Sequence, residues 1–299
     1  MTVEADVDRD GNAGAGGSAD AGADVHTGED AGVDAGPGVA AGPGPDVAAA
    51  GPTGLGLVTI GQAPRTDLAG DIAPHLGGLC PYEHGALDDD VFDGAEGDRT
   101  RAALAPAADE APLVSRLRDG TSVVLGHDAL APRIRRAVAR CEADGATATL
   151  LLCTGNFPEV PAARPLLYAE PLVQHGVRAL VGADPVGIVC PLPAQAADVA
   201  HRWSKLLPGP VRAEPADPYA DDAHERTASA ARRLAASGCR WLVLDCIGYT
   251  ESMRRTAATA ADRPVLLARA LAVRLAAEAA AAAGASGAPG HPAGAAHGA

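Results

Sequence analysis

Two cysteines stand where apolar runs stop. Cys153 closes "TATLLLC" and leads into Thr154, Gly155 and Asn156; Cys246 closes "CRWLVLDC" and leads into Ile247, Gly248, Tyr249 and Thr250. Each run reads as a buried strand, and the carboxyl ends of parallel strands are where open α/β sheets bind ligands. Moving a proton from one face of a carbon beside a carboxylate to the other takes a base on the first face and an acid on the second. Two opposed cysteines, one thiolate and one thiol, supply both and exchange roles in the reverse direction. The peptide N–H groups of the two turns, helped by the side chains of Thr154, Asn156 and Thr250, suit an anionic substrate and the enolate-like charge that develops on it. The bland alternative is that both cysteines are small buried hydrophobes. Asp245 opposes thiolate formation at Cys246 if its carboxylate points the same way, but neighbours along a strand face opposite sides.

The two stretches echo each other. At an offset of 93 residues, Ala143 falls on Ala236, Gly145 on Gly238, Cys153 on Cys246 and Gly155 on Gly248. Each copy reads helix, glycine stop, strand, cysteine, turn. The shared order of elements carries more weight than identities in so Ala- and Gly-rich a chain. If the halves are related lobes, the two thiols meet over a cleft.

Other motifs carry less. Gly54-Leu55-Gly56 precedes the first strand and so is no dinucleotide fingerprint, and no Walker sequence is present. Asp88, Asp89, Asp90 and Asp93 lack a glycine-spaced calcium pattern and read as a solvated loop, so no metal is expected. His127 beside Asp128 reads as a turn or cap pair, because adjacent extended residues point apart. Glu83 and His84 are ordinary loop residues by spacing, and Arg135, Arg136, Arg232 and Arg233 read as solvated helix faces.

The elements that must hold these turns alternate between strand and helix. "LGLVTIG" (55–61) reads as the first strand, and it delivers the loop "GQAPRTD". "LVSRLRDGTSVVLG" (113–126) is a hairpin about Asp119-Gly120, followed by the helix "APRIRRAVARCEADG" with Gly145 as its stop. The second half runs through the strand "VGIVCPL" (186–192), two amphipathic helices and "CRWLVLDC". It ends in "RPVLLARALAVRLAAEAAA" (263–281), a short strand that becomes a closing helix. This alternation predicts parallel sheets covered by helices.

Composition narrows the function classes. The first 52 residues hold ten acidic residues against Arg9 alone and no aromatic, so nine of the fourteen net negative charges lie in a segment too poor in apolar residues to fold. A disordered acidic tail is expected there, and a flexible Gly/Ala/Pro/His tail at 284–299. Between them there is no basic stripe, Lys205 is the only lysine and the whole chain has eight aromatic residues, so nucleic acid is not an expected partner. No apolar run is long enough for a membrane span, and the N-terminus "MTVEADVD" has no secretion-signal pattern. The six cysteines are therefore expected as free thiols in the cytoplasm.

Taken together, "LGLVTIGQAPRTDLAGDIAPHLG", "EHGALD", "VVLGHDAL", "LLLCTGNF", "WLVLDCIGYT" and "RPVLLARALAVRLAAE" resemble the AroM protein family across nearly all of 55–281. That family is named for an association with aromatic amino-acid metabolism. It is similar in turn to the aspartate/glutamate racemase superfamily, which includes hydantoin racemases, maleate isomerases and arylmalonate decarboxylases. The resemblance implies an α/β fold of two racemase-like lobes, each a mostly parallel sheet with helices on both faces and a cleft between them. Lobe one is expected at 53–160 with the closing segment 263–283, and lobe two at 161–258. It implies catalysis without cofactors on a small-molecule carboxylate through Cys153 and Cys246, and it leaves self-association open. The candidate substrate-binding residues are Gln62, Arg65, Thr66, Thr154, Gly155, Asn156, Gly248, Tyr249 and Thr250, of which Thr154, Asn156 and Gly248 match the family's two cysteine loops. Two departures weigh against glutamate-type racemisation. Gln62, Pro64, Arg65, Thr66 and Asp67 replace a Gly-rich Asp/Ser loop after the first strand, and Ile247-Gly248 replaces Thr-His after the second cysteine. Arg65 is expected instead to offer a bidentate fork to a substrate carboxylate. The alternatives are a decarboxylase on the same scaffold and a non-catalytic binder of an aromatic-pathway metabolite.

Overall fold

The structure is a computed structural model that describes residues 53–286 except Asp109. The tail expected at 1–52 lies outside the described residues, as does the C-terminal tail from 287 onward. The chain starts in β1 (Gly54–Thr59), α1 (Thr66–Ile72), β2 (Cys80–Gly85) and α2 (Gly94–Leu104). A hairpin of β3 (Leu113–Arg116) and β4 (Ser122–Leu125) follows, then α3 (Ala131–Ala143), β5 (Ala146–Leu152), β6 (Leu166–Tyr168) and α4 (Ala169–Val181). The remainder is β7 (Val186–Cys190), α5 (Ala196–Leu206), β8 (Val211–Pro215), α6 (Ala223–Ala236), β9 (Trp241–Leu244), α7 (Glu251–Ala261), β10 (Val265–Leu267) and α8 (Ala268–Ser286).

These strands form two parallel sheets, β2-β1-β5-β6 and β10-β9-β7-β8, plus the antiparallel hairpin. Counted along the chain within each sheet, both orders are 2-1-3-4. The echo read from the sequence is thus an echo of topology: β5 and β9 are the third strands of their sheets, and each pairs with its sheet's first strand. A ligand crevice is expected at such a switch point, outside the carboxyl ends of the first and third strands. Gly145 and Gly238, matched at the 93-residue offset, also share a role, since both adopt positive φ (104° and 92°) after their helices.

Both sheets are buried on both faces, which is why their strands read as continuous apolar runs. Leu55 and Leu57 of β1 face a core shared with Ile188 of β7 and Val243 of β9, while Val58 and Ile60 face a second core with Leu125 and Ile134. Leu242 and Leu244 face a third core beneath α6 and α7. The shared core is completed by α4 and α8. Ala268, Ala272, Ala276 and Ala280 are all fully buried at every fourth position, so a stripe of small side chains lets α8 lie close to the first sheet. Thr147 fixes this approach, its hydroxyl donating to the carbonyls of Gly54 (3.0 Å) and Ala280 (2.9 Å).

The boundaries differ from those expected. β6 lies beyond residue 160 yet joins the first sheet, pairing Leu151 with Tyr168. β10, expected with lobe one, pairs Leu267 with Leu244 in the second sheet, and only its helix α8 crosses to the first. Three-residue edge strands carry no alternation, so a linear reading assigns them to the helix that follows. α8 runs to Ser286, so the flexible tail does not begin at 284.

The hairpin holds its expected register, with Leu113 opposite Leu125 and Gly120 at φ 85° in the loop. The acidic run is solvated only in part, with Asp89 and Asp93 exposed and Asp88 and Asp90 partly buried. Arg133 grips Asp90 (2.7 and 2.9 Å), Arg140 grips Asp89 (2.8 Å), and Asp88 accepts from the backbone N–H groups of Ala63 and Gly85. No helix among the described residues is long and apolar enough to cross a membrane.

Candidate active site

A cavity of about 390 Å³ opens over the switch points of the two sheets, and both cysteine turns line it. That volume lies at the small end of ligand pockets. From the first lobe come Arg65, Cys153, Thr154, Gly155, Asn156 and the hairpin strand Leu113–Ser115; from the second come Tyr219, Asp245, Cys246, Ile247 and Arg202. The lobes meet across it, where Gln195 Nε2 donates to the Pro112 carbonyl (2.7 Å) and the Thr154 hydroxyl donates to the Asp245 carbonyl (3.2 Å).

The two sulfurs have the same local support. The Gly155 N–H donates to Cys153 Sγ (3.4 Å) and the Gly248 N–H to Cys246 Sγ (3.3 Å), each from two residues further on. A donor aimed at sulfur favours the thiolate, but burial outweighs it in both cases. Cys153 is pushed up to about 12, first by burial and then by Cys246 and Asp245, against the Gly155 N–H and Arg202. Cys246 is pushed up to about 11 by burial and Asp245, against the Gly248 N–H and the guanidinium groups of Arg65 and Arg269. Both groups are thiols at neutral pH in the free protein.

Asp245 lines the same cavity as Cys246, contrary to the alternation argument, because β9 ends at Leu244 and the turn beyond it has no pleat. Its carboxylate accepts from the Trp203 indole N–H (2.7 Å), and burial holds its carboxyl above the ordinary range.

Arg65 is almost wholly buried, and its fork is already taken. Nε and Nη2 donate to the two oxygens of Asp67 (2.8 Å each), Nη1 reaches the hydroxyls of Thr59 and Ser115, and Nη2 also lies 3.4 Å from the Tyr219 hydroxyl. A bidentate grip on substrate is therefore not available without displacing Asp67. What Arg65 supplies is buried positive charge beside Cys246.

Several suggested binding residues do other work. Gln62 ties the first loop down, donating to the Leu87 and Asp90 carbonyls and accepting from the Arg118 N–H. Thr66 is an exposed residue opening α1. Tyr249 is buried, with its hydroxyl donating to the Ala216 carbonyl, and Thr250 caps α7 by accepting from the Met253 N–H (3.1 Å). Gly248 serves the sulfur and lies under Tyr219, where an added Cβ would sit 2.6 Å from the hydroxyl oxygen. Away from the cavity, Glu83 accepts from the Arg65 backbone N–H and His84 pairs with Asp144.

Sequence reasoning missed a second polar wall. His127 lines the cavity with its Nδ1 3.0 Å from Glu110 Oε1, so its partner is Glu110 and not the adjacent Asp128. The Ala107 N–H also donates to Glu110, and together with the His127 backbone N–H it holds the Glu110 carboxyl below its usual range. Tyr219, the aromatic platform of this wall, lies beneath the Arg116 guanidinium (5.0 Å to the ring centroid). Its one sequence signal is scarcity, as one of four tyrosines in a chain poor in aromatics.

Among solved structures the chain is similar to Picrophilus torridus aspartate racemase, with 10% identity over 76% of this chain and 94% of that one and a TM-score of 0.50. Unliganded arylmalonate decarboxylase gives 14% identity over 78% and 93% with a TM-score of 0.47, and allantoin racemase from Klebsiella pneumoniae gives 13% over 76% and 87% with a TM-score of 0.45. At 10% identity the likeness to the aspartate racemase is one of fold, the two-lobed racemase fold. No curated protein sequence matches the chain at a significant level. The AroM protein family matches residues 55–280, a span that takes in both cysteine turns, the hairpin and most of α8. On that match the chain belongs to the AroM protein family.

Proposed function

We propose that this AroM family protein is a cofactor-independent racemase or isomerase of a small carboxylate, with Cys153 and Cys246 as its acid–base pair. One observation carries the reading: two thiols from equivalent positions of two like sheets line one small cavity, each with a glycine N–H on its sulfur. Cys246, the more acidic thiol, loses its proton first. Its thiolate takes the proton from the carbon beside the substrate carboxylate, and the electron pair left behind delocalises into that carboxylate as an enolate-like dianion. The backbone N–H groups of Thr154 and Asn156, on either side of the Gly155 N–H that serves Cys153, are the donors assigned to this charge. Cys153 then gives its proton to the opposite face, leaving the configuration inverted, Cys246 as thiol and Cys153 as thiolate.

The test is proton NMR in D2O with a panel of amino acids, hydroxy acids and aromatic dicarboxylates. Exchange of the α-proton with conversion to the mirror image or isomer is the expected result, and it is lost in Cys153→Ser and Cys246→Ser. Ligand-induced thermal stabilisation that survives both substitutions, without turnover of any compound, would overturn catalysis and leave a binder of an aromatic-pathway metabolite.

A decarboxylase on the same scaffold is the second reading, and the raised thiols favour it. A carbanion formed by loss of CO2 needs only a protonated thiol beside it, which is the resting state of both cysteines. Consumption of a dicarboxylate with release of CO2, in place of exchange into it, distinguishes the two.

A further inference from the structure

A second cavity, of about 570 Å³, lies away from the thiols where α1 meets the starts of α7 and α8. Its charge is lopsided. Arg254, Arg255, Arg269 and Arg274 line it with His75, against two carboxylates, Asp71 and Glu251. Those carboxylates are already committed. Glu251 accepts from Arg254 (2.5 and 2.7 Å) and Arg255 (3.3 Å), and Asp71 accepts from the Glu251 N–H (2.8 Å) and Arg269 Nη1 (2.9 Å). Two cations remain in excess. The lining includes the first turns of two helices, Glu251 and Arg254 of α7 and Arg269 to Leu271 of α8, so two positive helix ends add to the guanidinium charge.

A second observation is independent of charge counting. Arg269 is 1% exposed; its Nε donates to the Ile247 carbonyl (2.8 Å) and Nη1 to Asp71, but the buried Nη2 has no hydrogen-bond partner among the described residues. A buried donor without an acceptor is costly, and Arg269, whose side chain is part of the cavity lining, carries one such donor. Forked guanidinium donors suit a tetrahedral dianion better than a halide.

We propose that this cavity is a binding site for a phosphate group, free or carried on a small molecule, and that its occupant acts on the Cys246 turn through Arg269 and Ile247. The route is short: the carbonyl that Arg269 holds belongs to the residue after Cys246. An anion on Arg269 offsets a positive charge that favours the Cys246 thiolate, so occupancy makes that thiol less reactive. The site stands whether or not the two-thiol chemistry proves right.

The test is calorimetric titration of the intact chain with inorganic phosphate, glycerol phosphate and malonate at matched ionic strength. Phosphate is expected to bind saturably, and Arg254→Ala/Arg274→Ala, a surface variant, to weaken it about tenfold. Tighter binding of glycerol phosphate would support an organic phosphate, and equal binding the free ion. Absent saturation, an unchanged affinity in the double variant, or malonate binding as well as phosphate would overturn the site. Arg269→Met is expected to abolish binding, and if it does not fold the surface variant decides. Iodoacetamide labelling of Cys246, followed by mass spectrometry, is expected to slow at saturating phosphate while Cys153 labelling stays constant. An unchanged Cys246 rate would overturn the link to the turn.

Discussion

The turns after β5 and β9 occupy equivalent places in equivalent sheets and treat their sulfurs alike at first contact, yet their surroundings differ. Cys153 follows Leu152 and is half-buried, with the Arg202 guanidinium acting on it; Cys246 follows a buried aspartate and feels two guanidinium groups, Arg65 and Arg269. Both thiols are raised by burial, and the extra positive charge leaves Cys246 the lower of the two, about 11 against about 12. Duplication of a backbone thus reproduces the hydrogen bond but not the field. On the proposed function, this symmetric scaffold offers one face of a substrate the better base and the other the better acid.

This asymmetry can be broken in graded steps. Substituting either cysteine by serine removes one partner in proton transfer and is expected to lower exchange by about 10²- to 10⁴-fold, measured by NMR in D2O. Below pH 10, Cys246 is expected to react with iodoacetamide about threefold faster than Cys153, since its larger thiolate fraction outweighs the lower nucleophilicity of a more acidic thiolate. Both rates climb with pH until each thiol ionises, and equal rates would remove the asymmetry.

The glycines that serve the sulfurs separate the turns again. Alanine at Gly248 meets the Tyr219 ring (2.7 Å to Cζ) and Pro218 (2.9 Å), and is expected to cost about 2 kcal/mol in thermal unfolding. At Gly155 the first obstacle is the end of the Leu113 side chain (2.6 Å), which can move, so a loss of less than about 1 kcal/mol is expected.

The effect at Asp245 depends on pH. Burial raises its carboxyl above the ordinary 3.8, so the folded state holds this proton more tightly than the unfolded state. Its contribution to stability is present below 3.8 and is lost as pH rises through the folded value. Asp245→Asn, which can still accept from Trp203, is therefore expected to raise the melting temperature by a few degrees at pH 7, about 1 kcal/mol, and to leave it unchanged near pH 3.

The strands β1, β5, β7 and β9 were legible because burial on both faces leaves continuous apolar runs, and the hairpin because Asp119-Gly120 has few other uses. The cysteine turns followed from where those runs stop. What stayed hidden depends on contacts distant along the chain. His127 reads as a turn residue with no partner nearby in sequence, and only folding brings Glu110 to it. Arg65 looked free to hold a substrate because the reach of Asp67, two residues on, is a matter of side-chain direction. β6 and β10 are recognisable only by the strands they pair with.

The apolar core beneath the cleft belongs to both lobes at once, since β1, β7, α4 and α8 all contribute to it. Swinging the lobes apart would tear that oily floor, so the gap between the sulfurs behaves as the fixed throat of a gauge and not as a hinge that adjusts to its contents. On the proposed function, selection among acids falls to width: a molecule too thick to pass between the two sulfurs is turned away by geometry before any proton moves.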